Sequence, residues 1–163
     1  MTFAPYQFVA LELTSPGGVV MARWHSRHGW GDVSWDSKTW SFRPFDHSGV
    51  SQGAMVDGAT TSLTFPRLPT VEAILRQAHR EGWQGLLRVL HWTTAEETGT
   101  APPATAVTIA TMRGVISLGS LSLTTVEATL ASSLLAGAGG GQFPPRRATT
   151  MMIGVPVVLE GAE

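Results

Sequence analysis

A chain of 163 residues is long enough to bury a real core as one large domain or two small ones. Charged residues make up only 14%, against roughly 25% in typical soluble domains, which points to a surface covered in part by neighbouring subunits. The net charge of −1 excludes a global pull on nucleic acid or an anionic membrane, and the absence of cysteine excludes disulfides, thiolate zinc sites and cysteine nucleophiles.

Residues 7–13 alternate as a strand and give way to Ser15-Pro16-Gly17-Gly18, after which residues 19–24 form a second strand, so the pair reads as a hairpin. An aromatic block follows. Val33-Ser34-Trp35 and Thr39-Trp40-Ser41-Phe42 flank the polar turn Asp36-Ser37-Lys38, a second hairpin with Trp35, Trp40 and Phe42 placed for cross-strand pairing. Residues 44–58 read as a Gly-rich loop with room for a short strand, and residues 60–65 as a strand stopped by Pro66.

The period then changes. Val71, Ile74, Leu75 and Ala78 fall on one helical face, predicting a helix over residues 70–80 with Thr70 as N-cap and Gly82 as stop. Residues 86–93 predict a strand, and residues 94–106 an exposed loop. Two strands, 107–116 and 120–131, are expected around a Ser117-Leu118-Gly119 turn. The run Ala136-Gly137-Ala138-Gly139-Gly140-Gly141 is expected to interrupt regular structure. Beyond Pro144-Pro145-Arg146-Arg147 lies an apolar tail that begins at Met151 and Met152. An apolar strand behind a glycine linker either folds back on its own sheet or adds to a neighbour's open edge. The expected division is one β-rich domain over residues 1–150 and a tail or arm over 151–163.

The chain offers little chemistry. His25-x-x-His28, with Asp32, Asp46 and His47, has loose metal-ligand spacing and no helix to carry it. There is no Gly-x-Ser-x-Gly elbow, the adjacent Glu96 and Glu97 read as a solvated tip, and the glycine run lacks the Lys-Ser/Thr of a phosphate loop. No enzyme activity, metal or cofactor is expected. Arginines 76, 80, 88, 113, 146 and 147 read as contact and surface residues, because acidic residues are spread among them. No secretory leader is visible at the N-terminus, and no apolar run reaches the ~20 residues of a membrane helix. Four tryptophans, Trp24, Trp30, Trp35 and Trp40, lie close together, and indoles of this kind serve a core, a subunit interface or a sugar platform.

One further signal lies in the order of segments. The block Val33-Ser34-Trp35-Asp36-Ser37-Lys38-Thr39-Trp40-Ser41-Phe42-Arg43-Pro44-Phe45 precedes the strand Thr61-Ser62-Leu63-Thr64-Phe65-Pro66. The helix, Leu87-Arg88-Val89-Leu90-His91-Trp92, a strand pair around Arg113-Gly114-Val115-Ile116, and Phe143-Pro144-Pro145-Arg146-Arg147 complete the series. This resembles the N-terminal domain of the minor tail proteins at the tail tip of lambda-type siphophages, and related baseplate or hub proteins of phage tails and gene transfer agents. The resemblance covers residues 28–150. It implies an antiparallel β-barrel or sandwich of tail-tube type with a flanking helix. The subunit would assemble as a trimer or hexamer ring around the tail axis.

The partners so implied are further copies of itself, the tail tube, the distal tail protein and the hub, spike or fibre. The location implied is the virion tail, assembled in the host cytoplasm. Those relatives carry a cysteine-rich segment associated with an iron–sulfur cluster. With no cysteine here, only the scaffold domain carries over. Trp35, Trp40, Arg146, Arg147, Met151 and Met152 are the expected interface residues. A carbohydrate-binding β-sandwich using exposed Trp24, Trp30, Trp35 or Trp40 is the alternative, and a small hydrolase or metal enzyme on His25, His28 and His47 is a third reading.

Overall fold

A computed structural model describes residues 6–50, 60–93 and 101–132. In chain order the strands are β1 (Gln7–Thr14), β2 (Val20–His25), β3 (Val33–Trp35), β4 (Lys38–Phe42), β5 (Asp46–His47) and β6 (Thr60–Pro66). Helix α1 (Pro69–Glu81) then precedes β7 (Gln84–His91), β8 (Val107–Leu121) and β9 (Thr125–Ala131). The protein is mainly β with one helix, as its patterning predicts. The nine strands form one open sheet in the order β3-β4-β2-β1-β7-β8-β9-β6-β5. Among the described residues every pairing is antiparallel except β2 with β4, a two-pair parallel contact (Trp24↔Ser41, His25↔Phe42) that makes the sheet mixed. Nothing local in the sequence announces that pair.

Alternation along β1 sends Val9, Leu11 and Leu13 to one side and Phe8 and Ala10 to the other, and all five are buried. A strand apolar on both faces has to be covered twice. The inner face is covered because the sheet folds back on itself. The first half of β8 pairs with β7, ending at Gln84↔Val115, and its second half pairs with β9, beginning at Val115↔Ala131. At this corner Gly85 stands opposite Gly114. A Cβ on Gly114 would collide with the carbonyl of Ala131, and one on Gly85 would lie 2.9 Å from Leu130 Cδ1. The close backbone approach therefore requires glycine at Gly114. Folding there brings Trp24 of β2 edge-on to Phe65 of β6 at 5.7 Å, although four strands separate them in sheet order.

Helix α1 closes this core with Val71, Leu75 and Ala78, and Trp83 seals its exit. Gly82 takes the left-handed conformation (φ 68°), and its neighbour Trp83 donates its N–H to Ala78 O, so the stop falls where the sequence placed it. The N-terminus differs from expectation. Pro69, with no N–H to satisfy, is already helical, so Leu68 and not Thr70 is the cap, and no side chain caps the helix.

The second difference is the β8–β9 reversal. Ser117-Leu118-Gly119 is part of a 15-residue strand, and the chain turns at Ser122-Leu123-Thr124. There Ser122 Oγ accepts the N–H groups of Thr124 (3.2 Å) and Thr125 (2.9 Å). Arg67 fixes the turn by donating to the carbonyls of Ser122 and Thr124.

The outer face of β1 and β7 holds a second cluster: Phe8, Ala10, Leu90 and Trp92, covered by Trp30, Val33 and Trp40. The β3–β4 hairpin thus forms a third layer. The corner supplies a test. Gly114→Ala is expected to cost about 3 kcal/mol in urea unfolding. Gly31→Ala, whose Cβ would meet nothing within 4 Å, is expected to stay within about 0.5 kcal/mol of the parent.

Candidate interaction surface

The aromatic hairpin was expected to carry interface residues. Its register, Val33↔Trp40 through Trp35↔Lys38, leaves a two-residue turn of Asp36 and Ser37, both at positive φ (56° and 57°). That is the turn whose twist matches paired strands. Trp40 is fully buried in this chain's own core, donates its Nε1–H to Trp35 O at 3.0 Å and lies 5.3 Å from the Trp35 ring. Its surface is thus taken up within the chain: the outer face of β1 needed a large apolar side chain, and Trp40 fills that need. Trp35 is half-buried, edge-on to Phe8 at 5.6 Å. Arg146, Arg147, Met151 and Met152 lie outside the described residues.

A set of charges holds the hairpin down. The Arg88 guanidinium sits 5.0 Å over Trp35 and 6.0 Å over Trp40, and 3.6 Å from Asp36. Glu12 takes a 2.7 Å bond from Arg23 and faces Lys38 at 3.6 Å. Burial alone would raise the Glu12 carboxyl, but the Arg23 hydrogen bond and the Lys38, Arg23 and Arg88 charges outweigh it and hold it below the usual range. The available signal was a lone charge inside each apolar strand, Glu12 in β1 and Arg88 in β7.

The histidines do not converge. His25 is fully buried, its Nε2–H donating to Gly31 O at 2.7 Å and its Nδ1 accepting the Arg27 N–H at 3.3 Å, with the ring stacked on Phe8 at 5.2 Å. Both nitrogens serve the backbone, which fixes one neutral tautomer. His47 Nδ1 accepts the Gly49 N–H at 3.1 Å, while His28 is exposed and meets Phe42 edge-on. Among the described residues, no three His, Asp or Glu side chains group as a metal set.

The tryptophans are likewise divided. Trp24 faces the inner core, whereas Trp30 stacks on Trp92 at 6.0 Å with Arg27 over both rings. Trp24, Trp30 and Trp40 are all buried and form no open row. The described end of the 94–106 loop is packed as well, with Ala101 and Ala106 against the outer cluster. An open depression beside α1 is lined by Arg67, Pro69, Glu72, Ala73 and Arg76. Both of its arginines are bound to Glu72, at 2.9 and 2.8 Å, so it offers no free positive charge.

Two further surfaces stand out among the described residues. The outer side of β6 and β9 carries Thr60, Ser62, Thr64, Thr125, Glu127 and Thr129, a hydroxyl-rich face with little charge. The other kind is apolar: Val19, Val20 and Met21 at the start of β2, Val107 and Ile109 on β8, and Leu121 and Leu123 at its far end are all exposed. Sequence reasoning missed the first of these, although Val19-Val20-Met21 breaks the alternation of a half-buried strand. Compared with protein-family models and with curated proteins, the chain matches none.

Burial pushes His25 below its ordinary value of 6.5, with the Gly31 bond and the Asp32 charge opposing, and burial moves His47 the same way against Asp46. The unfolded chain therefore takes up these protons first. The neutral-histidine contribution is whole above pH 6.5 and is lost as the pH falls from there through the folded-state values. Melting temperature is expected to drop between pH 7.5 and 5. His25→Gln, which keeps a donor toward Gly31, should flatten the drop, as differential scanning calorimetry would register.

Proposed function

We propose that the protein is a structural, non-enzymatic subunit of the tail tip or baseplate of a bacteriophage or phage-like particle. In this reading it forms a ring around the tail axis and joins the tail tube to the central hub, spike or fibres. The observation that carries the reading is how the described side chains are used. Buried indoles pack the two cores, His25 and His47 bond the backbone, and Arg23, Arg67, Arg76 and Arg88 pair with carboxylates within the chain. The described exterior includes a weakly charged hydroxyl face and exposed apolar strand ends, surfaces of the kind a subunit packs against others.

The order of elements supports the same reading. The β3–β4 hairpin, β6, α1, β7 and the β8–β9 pair follow one another as in the resemblance drawn from the sequence. Exposed apolar side chains such as Leu123, 94% accessible at the β8–β9 turn, would be buried between neighbouring subunits.

The test is particle association. Phage-like particles purified from a producing strain are expected to contain the protein by mass spectrometry, with antibody label at the distal end of the tail in electron micrographs. The purified protein is expected to form rings. A chain that stays monomeric in every condition and is absent from particles would sink the reading.

A further inference from the structure

The imidazole of His25 closes a loop as well as filling a core position. Residues 26–32 join β2 to β3, and the ring bonds them near both ends. Its Nδ1 accepts the Arg27 N–H at 3.3 Å, and its Nε2–H donates to Gly31 O at 2.7 Å. Between those bonds lies Trp30 with a glycine on either side. Gly29 is at positive φ (81°), and a Cβ on Gly31 would meet nothing within 4 Å. Trp30 is the cover of the outer cluster, stacked on Trp92 at 6.0 Å and tilted over Phe8 at 6.0 Å. Beneath it Trp92 Nε1 is buried without a partner among the described residues, so the closed arrangement leaves an indole N–H that water would satisfy.

This pair of bonds needs the neutral ring. An imidazolium donates from both nitrogens, so its Nδ1–H would face the Arg27 N–H, donor against donor. It would also be a charge cut off from water, because His25 is fully buried against Phe8 (5.2 Å) and Phe42 (5.6 Å). The charged groups on the elements packed against it are largely engaged elsewhere. Glu12 of β1 takes Arg23 and Lys38, Arg88 of β7 lies beside Asp36, and Arg43 after β4 donates to Phe42 O. In the loop itself Arg27 lies over Trp30 and Trp92, His28 meets Phe42, and Asp32 is the carboxylate whose charge favours the imidazolium. Burial outweighs Asp32 and holds the ring below its ordinary value of 6.5, so it is neutral at pH 7.

We propose that residues 26–32 form an acid-released strap: neutral His25 latches it, and protonation frees its Arg27 end and swings Trp30 off Trp92. The opening is local, short of unfolding, and uncovers Trp92 and Phe8. It does not depend on the phage reading, because the latch lies wholly within one chain.

Hydrogen exchange of the full chain, read by mass spectrometry and corrected for the intrinsic rate at each pH, tests the strap. Between pH 7.5 and 5, peptides over residues 26–32 are expected to lose about ten-fold in protection, while β6 and β9 keep theirs. His25→Gln offers a carbonyl to Arg27 and an amide N–H to Gly31 at every pH, so its strap is expected to stay protected. Asp32→Asn, at an exposed position, removes the charge that favours the imidazolium and is expected to move the opening to lower pH.

Equal protection of residues 26–32 at both pH values would overturn the proposal. A loss spread evenly over all strands would overturn it too, since the event would then be global unfolding. So would an unaltered pH profile in His25→Gln or in Asp32→Asn. If His25→Gln does not fold, the shift in Asp32→Asn decides alone.

Discussion

Strand β1 carries apolar side chains on both faces, and its partner β7 does the same with Leu87 and Val89 on one side and Leu90 on the other. Each such side chain is worth about 1.5–3 kcal/mol when fully buried, so neither face of this strand pair is stable in water. The chain meets that constraint at its two ends in different ways. Toward the C-terminus the sheet bends at Gly114 and lays β9 and β6 across the inner face, with α1 closing the gap. Toward the N-terminus a short parallel contact between β2 and β4 releases the β3–β4 hairpin to fold over the outer face. The layered form is thus the consequence of one doubly apolar strand pair, and Gly114 and the β2–β4 contact are the joints that make it possible.

The outer layer is held in register more than it is strengthened. Phe8, Ala10 and Glu12 share one face of β1, so an apolar row ends in a carboxylate that meets Arg23 and Lys38. Arg88 does the same for β7, set over Trp35 and beside Asp36. These groups retain partial exposure, with side chains 12–53% accessible, so their ion pairs contribute little Coulomb energy each. Their contribution is positional: Arg88 Nε is buried with no partner among the described residues, and a shifted hairpin would also strip the guanidinium of its aromatic and carboxylate contacts.

Much of this was legible in the sequence because its periods are local. The two-fold alternation of β1 and β6, the 3.6-residue spacing in α1 and the glycine stop all act over a few positions, whereas the hairpin turn, expected over Asp36-Ser37-Lys38, is one residue shorter because Lys38 pairs with Trp35. Errors fell where a local signal had a rival. Ser117-Leu118-Gly119 and Ser122-Leu123-Thr124 both look like turns, and the choice went to the second because Ser122 can cap two backbone N–H groups there and Arg67 reaches it from just beyond β6. The β2–β4 pairing and the burial of Trp40 depend on distant partners and had no signature of their own. A tryptophan in a hairpin reads the same whether its cover is a neighbouring subunit or the chain's own Phe8 and Arg88. The expected contacts at Arg146, Arg147, Met151 and Met152 fall outside the described residues.

Composition acquires a different meaning once the side chains are placed. The eleven basic residues are ten arginines and one lysine. Within the fold Arg23, Arg67 and Arg76 bond carboxylates, while Arg27 and Arg88 lie over indole rings, geometries that a flexible ammonium satisfies poorly. These five arginines are therefore used inside the chain and do not by themselves argue for an interface. The scarcity of lysine argues for one in another way. Lysine is the residue that most often guards an exposed strand edge, and the one lysine here is spent beside Glu12 and Asp36. The first residues of β2 are left with Val19, Val20 and Met21 facing water, so the composition that stabilises the aromatic layer also leaves the edge beside it unguarded.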